Sequence, residues 1–384
     1  MKIGIFTDTY RPQINGVVTS VCLMEQKLKE HGHEPFIFTI AHPHVKHSQD
    51  PSNVFRIGSV TFWGNPDYRI AKIYSRGTLK KVQELKIDLI HSHAPFSLGI
   101  MAHLIAKKLE IPEIHTYHTM LSDYTHYIKF GGLMPKLAAE NYSRVFCNLV
   151  NAVIVPTKKV YQTLKDYGVK TPIYIIPTGI ELSLFYKEIP KQELLILKDN
   201  LKLSENDQIL IFVGRIAKEK SIEKLINYHK KLVSKDPHYK LIIVGSGDYL
   251  KKLTELVESL SLEDHIVFPG KVNYNDLPKY YQIADCFVTA STSETQGLVV
   301  LEAAASGLPI VAIDDESYYD MIQHGKNGFY YHHEGEYISY LETIFRDQKL
   351  KTQMMDYSRK IADNFSSESF YNRIMSVYQK TIGQ

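Results

Sequence analysis

The sequence of 384 residues is poor in cysteine, with three thiols at positions 22, 147 and 286 and no CxxC pair. Three cysteines cannot pair evenly, which excludes a disulfide scaffold, and we expect a reduced, cytoplasmic compartment. Apolar runs are also short, because none approaches the ~18 residues of a membrane-spanning helix. The apolar start at Lys2–Phe6 is too short for a signal peptide. Low-complexity tracts and short repeats are missing as well, so a folded protein of two domains is expected from the length.

Several motifs of enzyme families are missing too. No G-x-G-x-x-G follows the first apolar run, and Gly245-Ser246-Gly247 lacks the third glycine, which argues against a dinucleotide oxidoreductase. Histidines cluster at 91, 93, 115 and 118, but no HExxH or cysteine pair accompanies them. A zinc site is one interpretation of this cluster and hydrogen-bonded strand ends are the other. We favour the second, with His118 as a polar group in a ligand-binding cleft.

Positive and negative charges are unevenly divided between the two halves of the chain. Residues 1–180 carry 21 Lys and Arg against 13 Asp and Glu, whereas residues 181–384 carry 24 against 29. The net charge of +3 therefore conceals a basic first half and an acidic second half. Such asymmetry favours an anionic surface as a partner of the first half. Unevenly distributed solvated charge is an equally good explanation at this level.

What the sequence does contain is a repeated alternation of apolar strands and amphipathic helices. In the first half, strands are predicted near Lys2–Phe6, Pro35–Ile40, Ile87–His91, Glu113–His118, Asn151–Pro156 and Ile173–Ile176. The alternation lapses into polar sequence over 179–206, which we interpret as a linker, and then restarts at Ile209–Val213. The pattern predicts an α/β protein of two doubly wound domains facing across a cleft, residues 1–180 and 181–364. The final residues, from about 365 to 384, are predicted to be helical.

Loops after the strands of a parallel sheet are where ligands bind. In the first such loop, Gly16 lies where a helix should begin, which suits either phosphate or sugar binding or a simple helix cap. In the loop after Val213, Arg215 and Lys220 could hold a diphosphate, with Ser221 as a helix N-cap. A solvated charged loop is the alternative there.

The strongest signal is the segment Ser293–Ala303. Glu294 precedes Gly297, which opens an apolar helix, and Glu302 lies about a turn and a half further along it. A carboxylate among apolar neighbours needs partners. Two acceptors around a helix N-terminus could therefore bind the hydroxyls of a sugar and of a ribose, with the helix amides facing a diphosphate.

Together these motifs resemble glycosyltransferase family 4, the retaining enzymes of GT-B fold. The glycine loop near residue 16, Gly214-Arg215 with Lys220, and the Glu-x7-Glu pair 294 and 302 occur in the family's order over almost the whole chain. The resemblance implies a nucleotide-sugar donor on the C-terminal domain and an acceptor on the N-terminal domain. It also implies that the C-terminal helix, about 365–384, crosses back onto the N-terminal domain. It implies catalytic roles for His118, Glu294, Arg215 and Lys220. It implies a donor site of Gly16, Arg215, Lys220, Glu294, Gln296, Gly297, Leu298 and Glu302, in which Glu302 binds the ribose and His118 contacts the sugar.

Within the family, the chain looks like the bacterial diacylglycerol glucosyltransferases. The segments that carry this similarity are Glu294–Gly297, Ile216–Ser221, Asp123–Tyr127 and Val155–Lys159. The resemblance implies UDP-glucose as donor, the 3-hydroxyl of diacylglycerol as acceptor, and a location on the inner face of the cell membrane. Tyr124 and His126 are then acceptor candidates. Arg69, Lys72, Arg76 and Lys80, spaced like one helical face, would bind anionic lipids. The apolar stretch Tyr127–Met134 would enter the membrane interface. Solvated helix faces are the alternative for both segments.

The sequence has no DxD motif, so we expect no obligatory metal, with room for stimulation by Mg²⁺, and no nucleic-acid partner. Three alternatives stay open. One is a family-4 enzyme with another UDP-hexose donor, and another is a member with an acceptor other than diacylglycerol. The third is a non-catalytic module that binds sugar nucleotides or lipids.

Overall fold

The computed structural model describes residues 1–13, 15–41, 45, 50–61, 69–118, 120 and 136–383. The chain forms two units, Met1–Gly179 with Ser367–Gln384 (unit 1) and Ile180–Ser366 (unit 2). The last helix thus belongs to unit 1.

Unit 1 is built on a parallel sheet of short, buried strands. Its elements in chain order are β1 (Lys2–Thr7), α1 (Gly16–Glu30), β2 (Glu34–Ile40), β3 (Val54–Ile57), β4 (Ser59–Thr61), β5 (Arg69–Ala71), α2 (Arg76–Leu85), β6 (Leu89–Ser92), α3 (Ser97–Leu109), β7 (Glu113–Thr116), α4 (Lys136–Cys147), β8 (Ala152–Val155), α5 (Lys158–Asp166) and β9 (Ile173–Ile175). The described strands pair in the order β3-β2-β1-β6-β7-β8-β9, with β4 and β5 as a separate antiparallel pair. Because the chain leaves β1 in one direction along the sheet and returns on its other side at β6, the switch point lies between these two strands.

Unit 2 repeats the same winding. Its elements are α6 (Leu182–Tyr186), α7 (Lys191–Asn200), β10 (Gln208–Val213), α8 (Ile222–Lys235), β11 (Tyr239–Val244), α9 (Leu250–Ser259), β12 (Ile266–Gly270), α10 (Leu277–Ile283), β13 (Cys286–Thr289), α11 (Leu298–Ala305), β14 (Ile310–Ile313), β15 (Gly328–Tyr331), α12 (Glu334–Arg346) and α13 (Gln348–Ala362). The strand order is β12-β11-β10-β13-β14-β15, all parallel. The switch point of unit 2 therefore lies between β10 and β13.

Helices cover both faces of each sheet, as burial of parallel strands requires. In unit 1 the predicted stripe of α1 is buried at Val21, Met24 and Leu28, where it packs with helix α14 (Ser367–Ile382) over the sheet. Met101 and Ile105 of α3 cover the opposite face. The prediction of two doubly wound α/β domains is confirmed.

The predicted linker is wrong in its local structure, because 179–206 contains α6 and α7. Helix α7 has no fully buried residue. Its Leu194 and Leu197, with Leu201 just after the helix, are partly buried against the core of unit 2. A helix with so weak an apolar face leaves little periodic signal in its sequence. The strands β3, β4, β5 and β15, which the pattern missed, have only three or four residues each.

The helices of the described part of the chain include none that is both long enough and apolar enough to span a bilayer.

Candidate functional site

The loop after β10 is held in place by close packing against the loop after β11. A Cβ on Gly245 would lie 1.9 Å from the carbonyl oxygen of Gly214, and one on Gly247 would lie 2.1 Å from that of Ile216. Only glycine allows the two backbones to approach this closely. The Gly-Ser-Gly sequence therefore shapes the loop that carries Arg215, although it lacks the pattern of a dinucleotide-binding motif.

The segment between this loop and α8 ends at Ser221, which is the N-cap residue of α8 as predicted. Lys218–Lys220 form a turn of 3-10 helix, and Ser221 follows in the left-handed region with φ of 51°. The Ser221 side chain makes no capping hydrogen bond to α8. This turn places Lys220 at the carboxyl edge of the sheet.

Lys220 and Glu294 meet at the switch point of unit 2. The Lys220 Nζ donates to Glu294 Oε1 at 2.5 Å, and Ser291 Oγ donates to the same oxygen at 3.0 Å. Burial raises the pKa of Glu294, but Lys220 and Ser291 outweigh it and hold that pKa below 4.5. Glu294 is therefore an ionised acceptor at neutral pH, next to a cation.

Arg215 completes a charged cluster with these two residues. Its guanidinium donates to Glu219 Oε1, is 47% exposed, and also lowers the pKa of Glu294 through its charge. Ser293 Oγ donates to the carbonyl oxygen of Glu219 at 3.3 Å, which ties the loop after β13 to the loop after β10. The structure thus brings Arg215, Lys220 and Glu294 together, a set suited to a diphosphate and to sugar hydroxyls.

Gly297 precedes the first residue of α11 and adopts φ of 78°. A Cβ there would lie 2.9 Å from Cε1 of Tyr318, whose hydroxyl donates to the carbonyl oxygen of Ser291 at 2.7 Å. Glycine is required for both reasons, and the turn delivers the first amides of α11, starting at Leu298, to the same edge as Glu294. Gln296 lies buried in this turn. Helix amides at this place suit an anion.

Glu302 is 4% exposed, inside the core of unit 2. Tyr281 donates its hydroxyl to Glu302 Oε2 at 3.0 Å. Burial raises the pKa of Glu302 to about 7, even though hydrogen bonds from Tyr281 and Tyr274 act in the opposite direction. The partners that this buried carboxylate requires are thus supplied by two tyrosines. Its binding of a ribose stays a prediction.

His118 follows β7, which ends at Thr116 rather than at His118 as predicted. Its Nε2 lies 2.9 Å from Nδ1 of His93, which follows the neighbouring strand β6. Burial lowers the pKa of His118 to about 4 and that of His115 to about 3, so these rings are neutral at pH 7. In the described part of the chain, no three His, Cys, Asp or Glu side chains are arranged to hold a metal ion.

Gly16 is the first residue of α1, as predicted from its place after β1. The capping group is the neighbouring Asn15, whose Oδ1 accepts from the backbone N–H of Val18 at 3.0 Å. Gly16 itself is exposed at the start of the helix. Its role in donor binding stays a prediction.

Asp8 of unit 1 is a buried acid to which the sequence analysis assigned no role. It follows β1, and its Oδ1 accepts from Ser97 Oγ at 2.6 Å and from the N–H of Leu98 at 3.3 Å, at the start of α3. Burial raises the pKa of Asp8 to about 6. Its Oδ2 is buried without a hydrogen-bond partner among the described residues. An acid directly after the first strand of a parallel sheet is the signal that could have identified it.

The predicted basic helical face over 69–80 is wrong. Arg69 lies in β5, and its guanidinium donates to the side chain and carbonyl of Ser59 at 2.8 and 2.9 Å. Helix α2 begins only at Arg76, where Ser75 Oγ accepts from the N–H of Thr78. Only Arg76 and Lys80 share a helix, while Lys72 lies in the connecting loop. Spacing between cations revealed neither the strand pairing nor the serine cap.

Two acceptor candidates, Tyr124 and His126, lie outside the described residues, as does the apolar stretch 127–134.

Comparisons with known proteins extend this assignment. Residues 14–184 match Glycosyltransferase Family 4, and residues 196–361 match Glycosyl transferases group 1. The chain is 35% identical over 384 residues to an alpha-monoglucosyldiacylglycerol synthase of Streptococcus pneumoniae, covering all of this chain and 86% of that protein. It is also 35% identical to a protein of the same name from Acholeplasma laidlawii, covering 91% and 89% of the two chains.

A similar solved structure is that of Anabaena HepE with UDP-glucose, with a TM-score of 0.80 at 20% identity over 99% of this chain and 100% of that one. Two doubly wound units of this kind are the GT-B fold of glycosyltransferases. The chain belongs to glycosyltransferase family 4 and is a hexosyltransferase.

Proposed function

We propose that this enzyme transfers glucose from UDP-glucose to the 3-hydroxyl of 1,2-diacylglycerol with retention of the anomeric configuration. The observation that carries the donor part is the cluster of Arg215, Lys220 and Glu294 at the switch point of unit 2. The acceptor part is supported by the two relatives named alpha-monoglucosyldiacylglycerol synthase, each matched over most of its length.

In the proposed donor complex, Arg215 and Lys220 bind the diphosphate and stabilise its charge as it leaves. Each charge-assisted hydrogen bond contributes about 1.5–3 kcal/mol. Glu294 accepts from hydroxyls of the glucose, His118 contacts the same sugar, and Glu302 binds the ribose. The acceptor oxygen attacks C1 on the face that the phosphate leaves, the C1–phosphate bond breaks, and a departing phosphate oxygen takes the acceptor's proton.

A surface of unit 1 supports the proposed location on the inner face of the cell membrane. The hairpin of β4 and β5 pairs Val60 with Ile70, and these side chains are 70% and 42% exposed. Lys72, Arg76 and Lys80 follow as exposed cations along the next stretch of chain. We call these five residues the hairpin surface. Apolar groups flanked by cations fit the interface of an anionic bilayer, with about 1 kcal/mol for each cation.

The test is a transfer assay with radiolabelled UDP-glucose and diacylglycerol in vesicles, with and without phosphatidylglycerol. We expect label in the lipid phase, increasing with anionic lipid. Release of UDP with a soluble acceptor and no labelled lipid would overturn the acceptor and leave the donor site standing.

A pair of triple variants isolates the hairpin surface. Replacing Lys72, Arg76 and Lys80 by Ser should weaken vesicle binding and lipid-dependent turnover. The control replaces Lys224, Lys230 and Lys251 of unit 2, which are also exposed, and changes net charge equally. Equal losses in the two variants would show that only net charge matters.

A further inference from the structure

The contact between His93 and His118 determines which hydrogen-bonding group His118 can offer. The residues follow adjacent strands, in which Ser92 pairs with His115. Nδ1 of His93 and Nε2 of His118 are 2.9 Å apart, and the rings are stacked with centroids 5.2 Å apart. Two ring nitrogens at this distance share one proton, so one ring donates and the other accepts.

Burial identifies His93 as the donor. His93 is 2% exposed, and its Nε2 has no hydrogen-bond partner among the described residues. With the proton on Nε2, His93 would bury an N–H that bonds nothing, whereas with the proton on Nδ1 only a lone pair is left unpaired. In folded proteins, buried backbone N–H groups are left without a partner less often than backbone acceptors, and we apply the same preference to the ring. Since burial lowers the pKa of both rings, the choice lies between neutral tautomers.

The ring of His93 is itself held by a second histidine. His91 lies against it with ring centroids 4.2 Å apart. Both nitrogens of His91 are used, Nδ1 with the hydroxyl of Tyr378 and Nε2 with Thr116 Oγ1, each at 2.7 Å. This support limits rotation of His93 and so keeps its Nδ1 directed at His118.

We propose that His93 is a positioning residue that keeps His118 in the tautomer with its proton on Nδ1. His118 then presents an N–H donor, and the sugar group that meets it must accept. The tautomer rests on the contact and on the burial of the His93 ring, and it does not depend on the proposed function. Its importance for turnover rests on the proposed function, in which His118 contacts the transferred sugar.

Nuclear magnetic resonance of ¹⁵N-histidine-labelled protein tests the tautomer without any substrate. The His118 signals are assigned by their loss in His118→Asn. In the wild type we expect the shifts of a protonated Nδ1, and in His93→Phe we expect His118 to change to the Nε2–H form that free histidine prefers in water. An Nε2–H signal in the wild type, or an unchanged Nδ1–H signal in His93→Phe, would overturn the proposal.

Kinetics with rescue variants separate positioning from packing. His93→Phe should lower kcat by about 100-fold, the cost of a misplaced catalytic contact. His93→Asn should restore it because its amide nitrogen can donate from the position of Nδ1, whereas His93→Gln, which mimics Nε2, should not. His115→Asn is the matched control, because His115 is equally buried and also has an unpartnered Nε2. Equal losses in the Asn and Phe variants of His93 would overturn the proposal.

The two readouts distinguish failure of this inference from failure of the proposed function. If the wild type transfers no glucose to diacylglycerol, the proposed function fails, while the tautomer experiment still decides the role of His93. If the wild type is active and His93→Phe keeps both the tautomer of His118 and kcat, only the role of His93 fails.

Discussion

The two units share a strand order but place opposite chemistry at their switch points. In unit 2 the loops meet through an ion pair, Lys220 with Glu294, beside the guanidinium of Arg215. In unit 1 the corresponding edge carries neutral histidines and an acid, Asp8, whose pKa burial raises to about 6. The shared topology brings the loops together at each switch point. The side chains on those loops determine whether the switch point suits an anion or a neutral hydroxyl compound.

The largest expected effect of this contrast is a difference in acid stability. Burial lowers the pKa of five described histidines in unit 1, and the largest effects are at positions 91, 93, 115 and 118. Each of these four neutral rings leaves the unfolding free energy unchanged above pH 6.5. Below pH 6.5 each ring lowers the unfolding free energy by about 1.4 kcal/mol per pH unit, because the unfolded chain binds the proton first. Asp8 and Glu113, whose pKa values burial raises, offset part of this loss.

Among its described residues, unit 2 has no comparable excess of buried histidines with a lowered pKa. Its buried His229 has a pKa lowered to about 3, and Glu302, with a pKa raised to about 7, acts in the opposite direction. From pH 6.5 to 5.5 we therefore expect unit 1 to lose about 3 kcal/mol more of its unfolding free energy than unit 2. Hydrogen exchange resolved by peptide would show it, and equal loss of protection in the strands of both units would contradict the expectation.

The next largest effect comes from Glu302, which changes the unfolding free energy with pH in the direction opposite to the histidines. Because its pKa of about 7 exceeds the value of 4.5 of the unfolded chain, its contribution is full below pH 4.5 and is lost as pH rises through 7. That loss is about 3 kcal/mol at most. We expect urea unfolding at pH 5 and pH 8 to show a smaller difference for Glu302→Gln than for the wild type. Glu334→Gln, a change at the surface, is the control and should behave like the wild type.

A smaller effect, on donor binding, distinguishes the Lys220–Glu294 ion pair of the site from the Lys231–Glu334 ion pair at the surface. Lys220→Ala should weaken UDP-glucose binding by about 10- to 100-fold, the loss of one charge-assisted contact. Lys231, paired with Glu334 on the same unit, serves as the matched control, since exposed pairs contribute at most about 1 kcal/mol. Isothermal titration calorimetry measures both variants. Wild-type affinity in Lys220→Ala would remove this residue from the donor site.

The smallest expected effect concerns metal removal. In the proposed donor complex, Arg215 and Lys220 supply the positive charge that a donor-bound metal would otherwise provide to a diphosphate. We therefore expect glucosyl transfer to persist in EDTA, with added Mg²⁺ no more than stimulating it. Loss of turnover in EDTA that Mg²⁺ restores would mean that the two side chains do not suffice.

The winding of the two units and the identity of the charged loops can be predicted from the sequence alone. Strands buried on both faces are continuously apolar, and the loops that follow them are polar. The sequence pattern is therefore sufficient to recognise β1, β10 and β13 and the loops that carry Arg215 and Glu294. Gly297 could be located the same way, because a turn into an apolar helix at a positive φ restricts the residue to glycine.

Which side chains come into contact, by contrast, depends on the tertiary fold. The contact of Lys220 with Glu294 spans 74 residues, and that of His91 with Tyr378 spans 287. Arg69 belongs to a hairpin strand because β4 pairs with it, a preference that lies in a partner segment rather than in its own spacing. The tautomer of His118 likewise depends on His93 across two strands, since hydrogen bonding and burial arise from neighbours that the folded chain alone supplies.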